Sequence, residues 1–125
     1  MRTILLVEND PYLQLLYELE LSELGYRVIT AGSTQIALKM AGMEKPDLLI
    51  IDPHLPEREG KEDLHKLVKT QPDIPVIINS IPHPQKRARR TLPWAVHVTK
   101  SSDLTELKRT VNRLLSDSVV QQVMN

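Results

Sequence analysis

"LLIIDPHLPEREG" (residues 48–60) is an apolar run that ends on a carboxylate, Asp52, and then breaks at two prolines and a glycine. Four consecutive apolar residues with no polar alternation read as a strand covered on both faces, the character of parallel strands. An unpaired charge inside such a strand would be costly to bury. Asp52 therefore reads as the first residue past the strand's carboxyl end.

Working outward, the same unbroken pattern recurs at "ILLV" (4–7), "VII" (76–78) and "AVHV" (95–98), while "YRVIT" (26–30) alternates as an edge strand does. Helical patterns lie between. Asp10 is placed as an N-cap with Pro11 at the first helical position, apolar Leu13, Leu16, Tyr17, Leu21 and Leu24 follow at helical spacing, and Gly25 is the stop. Ser33 opens a second helix, and Gly60 to Thr70 forms a third. The fourth connection, "SIPHPQKRARRTLPW" (80–94), has prolines at 82, 84 and 93, so any helix there is short, running from near Pro84 to Thr91 at most. Ser101 or Ser102 is expected to cap the last helix, whose buried stripe is Leu104, Leu107, Val111, Leu114 and Leu115. Five βα units in this order predict an α/β fold: one doubly wound, five-stranded parallel sheet with right-handed crossovers. The whole chain, 1–125, reads as one domain, with 116–125 the end of the last helix or the start of a linker.

Composition narrows function before any motif does. The 16 basic and 16 acidic residues cancel, which removes a global bias toward nucleic acid or an anionic membrane. No cysteine is present, so disulfides, thiolate metal sites and thiol nucleophiles are excluded. The start "MRTILLVENDP" meets Glu8 and Asp10 too early for a signal peptide or membrane span, and the expectation is a cytoplasmic protein.

In open α/β sheets the functional crevice lies outside the carboxyl ends of the strands, where the strand order reverses. With an order of 2-1-3-4-5, Glu8, Asn9 and Asp10 after the first strand, Asp52 after the third, Ser80 after the fourth and Lys100 after the fifth would meet there. The turn "VENDP" has no glycine with which a backbone could cradle phosphate, which counts against a flavin or nucleotide site.

These segments, "ILLVENDP", "PDLLIIDPHLPEREG", "PVIINS" and "VTKSSDLTEL", resemble the receiver domain of two-component response regulators, a flavodoxin-like fold shared with the chemotaxis regulators. The resemblance covers nearly the whole chain and implies a phosphorelay protein. Asp52 matches the phosphoacceptor and Glu8 and Asn9 the acidic pair that holds Mg²⁺. His54 matches the residue offering it a backbone carbonyl, Ser80 the hydroxyl residue, Lys100 the lysine, and His97 the switch aromatic. The implied partner is a histidine kinase or histidine phosphotransfer protein. The implied output is protein–protein interaction through an output domain or a target protein, with no direct contact to nucleic acid or membrane. Such chemistry needs positive charge, because a carboxylate attacking a phosphoryl group must overcome anionic repulsion.

Several positions depart from the family pattern. The acidic pair reads Glu8-Asn9, so a neutral amide stands where a carboxylate would hold the metal directly, and Mg²⁺ binding is expected to weaken. Ile81-Pro82 replaces the small residue usual after the hydroxyl position, Pro53 and His54 follow the acceptor, and Ser101 stands where a proline is common. His97 replaces a large ring, and the fourth connection carries the basic run "QKRARR" (85–90). A degenerate receiver, binding partners without phosphorylation, is therefore the alternative function. An aspartate-nucleophile phosphatase is a third reading, but Asp52-Pro53-His54 lacks a second carboxylate placed as acid/base and an enzyme is not expected.

Blander readings stand beside these. Asp52 alone would pass for a turn carboxylate, and Lys86, Arg87, Arg89 and Arg90 for a solvated helix face. The histidines at 54, 65, 83 and 97 have no metal-ligand spacing. Tyr12, Leu15 and Leu19 form a second apolar stripe on the first helix, read either as edge packing or as a partner surface.

Overall fold

Residues 1–52, 60–80 and 94–116 are described by the computed structural model, with side chains of the middle segment from Leu64 onward. Along the chain run β1 (Thr3–Val7), α1 (Pro11–Glu23), β2 (Arg27–Ala31), α2 (Thr34–Glu44), β3 (Leu48–Ile51), α3 (Gly60–Thr70), β4 (Val76–Ser80), β5 (Val96–Thr99) and α4 (Thr105–Leu114). His54, Ile81, the expected short helix at 84–91 with its basic run, and the segment 117–125 lie outside the described residues.

The five strands form one parallel sheet in the order β2-β1-β3-β4-β5, as the alternation of elements predicts. Because side chains alternate across a strand, each central strand feeds two cores. Leu5, Val7, Leu49, Ile51, Val76 and Ile78 face Ala37 and Ala41 of α2 and Leu64 and Leu67 of α3. Ile4, Leu6, Leu48, Ile50, Ile77 and Val98 face Tyr17 and Leu21 of α1 and Leu104, Leu107 and Val111 on and beside α4. Burial on both faces is what makes the strand segments read as continuous apolar runs. β2, at the edge, has only Ala31 fully buried, with Arg27 exposed and Val28, Ile29 and Thr30 half-buried.

Asp10 caps α1 as expected: its carboxylate accepts from the backbone N–H groups of Tyr12 at 2.9 Å and Leu13 at 3.4 Å. Gly25 follows the helix at φ +95, a left-handed conformation that favours glycine. Leu24 departs from the expected core stripe. It is 40% exposed, because the helix ends at Glu23 and the cap residue has turned off the buried face.

Two further corrections concern the C-terminal half. β5 spans Val96–Thr99 rather than 95–98, since its register against β4 runs from Ile77↔Val96 to Ser80↔Thr99. Neither Ser101 nor Ser102 caps the last helix, which begins only at Thr105. Asp103 does the local work instead, accepting from Thr105 N–H at 2.9 Å and Thr105 Oγ1–H at 2.6 Å, while Ser101 Oγ accepts from Asp103 N–H at 3.1 Å. Buried Leu104 pulls the helix start inward, so the polar turn before it spans more residues than the serine pattern implies.

Candidate functional site

Register alone places three charged residues side by side. Val7 of β1 pairs with Ala31 of β2 and Ile51 of β3, and Ser80 of β4 pairs with Thr99 of β5, so Glu8, Asp52 and Lys100 are each the next residue out of the sheet. Each is still tied to the ladder by its backbone N–H. Glu8 donates to Ala31 O at 3.0 Å, Asp52 to Val7 O at 3.1 Å, and Lys100 to Ser80 O at 2.5 Å. Strand ends therefore hold these side chains on rigid backbone.

The side chains meet. Lys100 Nζ lies 2.7 Å from Asp52 Oδ2 and 2.7 Å from Glu8 Oε1. All three groups are largely shut off from water, with side-chain exposures of 12% for Lys100, 7% for Asp52 and 2% for Glu8. Glu8 Oε2 accepts from Asp10 N–H at 3.2 Å, and the amide of Gln14 donates to the Glu8 carbonyl. Burial by itself would lower the Lys100 pKa, but the hydrogen bonds to Asp52 and Glu8 outweigh it and hold the ammonium above its ordinary value. One ammonium against two carboxylates leaves one negative charge in excess.

Below this cluster sits a polar pair in the core. The hydroxyl of Tyr17, 1% exposed, accepts from Asn79 Nδ2 at 3.2 Å, and Asn79 is 3% exposed. Burial raises the Tyr17 pKa, and the bond from Asn79 offsets part of that rise. Sequence reasoning missed this pair. The available signal was an amide inside the otherwise apolar strand "VIIN", which needs a partner when buried.

Ser80 occupies the last position of β4 and is half-buried, with its carbonyl held by Lys100 N–H. His97 lies two residues back from Thr99 on β5, and its buried Nε2 has no hydrogen-bond partner among the described residues. Asn9 is exposed beside the cluster, and Asp10 is committed to capping α1. The chain matches the model of the response regulator receiver domain over residues 4–112. It belongs to that family.

Other receiver proteins share both sequence and shape with it. The chain is 34% identical over 110 residues, 88% of its length, to the transcriptional regulatory protein GlrR of Escherichia coli K12. It spans only 23% of GlrR, and about a third of AfsQ1 from Streptomyces coelicolor, to which it is 35% identical over 78 residues. Among solved structures, the response regulator TrrA of Thermotoga maritima in complex with Mg²⁺-BeF is 32% identical, with a TM-score of 0.81 over 92% of this chain and 100% of TrrA. A complex of the histidine kinase ThkA with TrrA matches with a TM-score of 0.80, 32% identity and coverage of 93% of this chain and 100% of that one.

The TrrA structure holds Mg²⁺ with its BeF group. In the arrangement present here the residues do not fit such an ion. Glu8 and Asp52 are both occupied by Lys100, Asn9 offers a neutral amide, and among the described residues no cluster of three or more His, Cys, Asp or Glu is placed to hold a metal.

Proposed function

We propose that this receiver accepts a phosphoryl group on Asp52 from a histidine of a kinase or phosphotransfer protein and signals the change by protein–protein interaction. The observation that carries the reading is the contact of Lys100 Nζ with Asp52 Oδ2 at 2.7 Å on the carboxyl edge of the sheet. A carboxylate oxygen of Asp52 attacks phosphorus, the P–N bond to the donor histidine breaks, and the electron pair leaves with the imidazole. Lys100 lowers the repulsion between the anionic nucleophile and the anionic phosphoryl group. The product carries about −1.5 to −2 charge, which the Lys100 ammonium and the Ser80 hydroxyl satisfy with charge-assisted hydrogen bonds. Ser80 and His97 are the proposed switch residues, and His97 Nε2, which has no hydrogen-bond partner among the described residues, is a group able to take one when the site closes.

Mg²⁺ enters this reading only as a weakly held ion, one that the present arrangement, with Glu8 and Asp52 occupied by Lys100, does not accommodate. The kinase partner is supported by the ThkA–TrrA complex, and an output domain by the greater length of the curated relatives. Cytoplasmic location fits both, and no helix among the described residues is long and apolar enough to cross a membrane.

Incubation with Mg²⁺ and acetyl phosphate, followed by intact-mass measurement, tests the proposal. A phosphoryl adduct that disappears in Asp52→Asn supports it. A wild-type chain that stays unmodified under conditions that label an active receiver favours the second reading, a phosphorylation-independent binding module. That alternative draws on Asn9 and on the capture of both carboxylates by Lys100.

A further inference from the structure

We infer that two copies of this chain join edge to edge through β2, which pairs antiparallel with its own copy about a two-fold axis at Ile29, while the α2 stripe of Ile36, Met40 and Met43 packs against itself beside the join. The inference is independent of phosphoryl transfer to Asp52.

β2 is the outermost strand on its side of the sheet, with β1 as its one neighbour among the described residues. Arg27 N–H donates to Arg2 O at 2.9 Å, and Ala31 O accepts from Glu8 N–H at 3.0 Å, so the odd-numbered residues of the strand address β1. The N–H and C=O groups of Val28 and Thr30 therefore point outward. The strand carries none of the usual guards of an open edge. It holds no proline, and its single charge, Arg27, stands at its first residue and is drawn onto α2 by Glu44 at 2.9 Å.

The outward groups are self-complementary. With Ile29 on the axis, Val28 of one copy lies opposite Thr30 of the other, and each such pair exchanges both of its N–H···O bonds. Every outward donor and acceptor of the strand then has a partner in both copies. Val28 and Thr30, both β-branched, meet side by side on the α1 face, and Ile29 meets its own copy on the α2 face.

The helix beside the edge has matching symmetry. Ile36, Met40 and Met43 lie at i, i+4 and i+7 on α2, and Glu44, one turn beyond Met40, reaches Arg27, which sets the stripe on the outer, β2 side of the helix. Ile36 is 49% and Met43 78% exposed. α2 packs over both β1 and β2, against Leu5, Val7 and Ile29, so its axis lies about half a strand spacing inside the edge. Pairing the edges across ~4.8 Å sets the two α2 axes about 10 Å apart, the separation of packed helices. The two-fold runs them antiparallel and brings Ile36 of one copy to Met43 of the other. Glu44 of each copy then lies beside the N-terminal turn of the other α2, a positive helix end with no acidic residue of its own. One short strand and one helix stripe make a small interface, so the dimer is a weak one, with a dissociation constant of about 1–100 μM.

Sedimentation velocity over a range of concentrations reads the oligomeric state, which should pass from monomer to dimer. Ile36→Lys and Met43→Glu, both at exposed positions, should each weaken the dimer at least about tenfold. An equimolar mixture of the two should recover it, because the antiparallel register sets the new ammonium against the new carboxylate. Thr30→Pro removes an outward N–H, leaves the β1 ladder whole and should abolish dimerisation. In wild type, hydrogen exchange at the Val28 and Thr30 amides should slow from dilute to concentrated protein while the Ile29 amide is unchanged, a readout that needs no variant to fold. A chain that stays monomeric would overturn the inference and leave the edge to an extended peptide of another protein. So would a dimer that Thr30→Pro, Ile36→Lys and Met43→Glu all leave intact, or Val28 and Thr30 amides that exchange alike at every concentration.

Discussion

Lys100 and Glu8 form a 2.7 Å ion pair across the sheet, joining the end of β5 to the end of β1 over the tops of the two strands between them. Removing the ammonium leaves two buried carboxylates without their shared partner, whereas removing the Glu8 charge leaves Lys100 its contact with Asp52. In metal-free buffer, Lys100→Met is therefore expected to lose about 3–5 kcal/mol of stability. Glu8→Gln should lose less, about 1–3 kcal/mol. Urea denaturation of both variants checks the order, and equal losses would show that the lysine is not a shared counter-ion.

The Tyr17–Asn79 pair predicts a coupling. Tyr17→Phe strands the buried Asn79 amide and should cost about 1–3 kcal/mol. Asn79→Leu on top of Tyr17→Phe should cost much less than the two single changes added, because the amide that lost its partner is gone. Additive losses in a double-mutant cycle would mean the bond contributes nothing.

Asp103 predicts acid sensitivity at the start of α4. Hydrogen bonds from the side chain and then the backbone of Thr105 hold its carboxyl below the ordinary value of 3.8. A carboxylate depressed in the folded state binds fewer protons there than in the unfolded chain. Its contribution is complete above the unfolded value and fades as pH falls through the folded one. Asp103→Asn should flatten this part of the acid limb in denaturation curves between pH 5 and 2 (approximate bounds) and leave the neutral slope unchanged.

Tyr12, Leu15 and Leu19 are 75%, 56% and 56% exposed, so the second stripe on α1 is not edge packing. Leu15→Ser and Leu19→Ser should each change stability by no more than about 0.5 kcal/mol. On the proposed function, they should slow phosphoryl transfer from a cognate kinase while leaving labelling by acetyl phosphate as it is. Loss of both reactions together would place the defect in the site and not in docking.

The course of the strands was legible because burial on both faces leaves an unbroken apolar signature in "ILLV", "LLII" and "VII", and the α1 cap was legible because Asp10 and Pro11 act through neighbouring backbone groups. Those effects are local. The cap of α4 was misread for the same reason: a serine pattern is local, but the anchoring of Leu104 in the core decides where that helix begins. Asp52 at a strand end was visible, as was the neutral amide of Asn9 beside Glu8.

What the amino-acid order could not settle is which charge neutralises which. Glu8, Asp52 and Lys100 are separated by 44 and 48 positions in the chain, differences of their residue numbers, and only the β2-β1-β3-β4-β5 order with its register brings their strand ends together. The local rules place each residue at the end of a strand. Choosing the ammonium's partners then depends on distance and burial, and Coulomb interactions gain their strength only once the packed sheet has excluded water from between them.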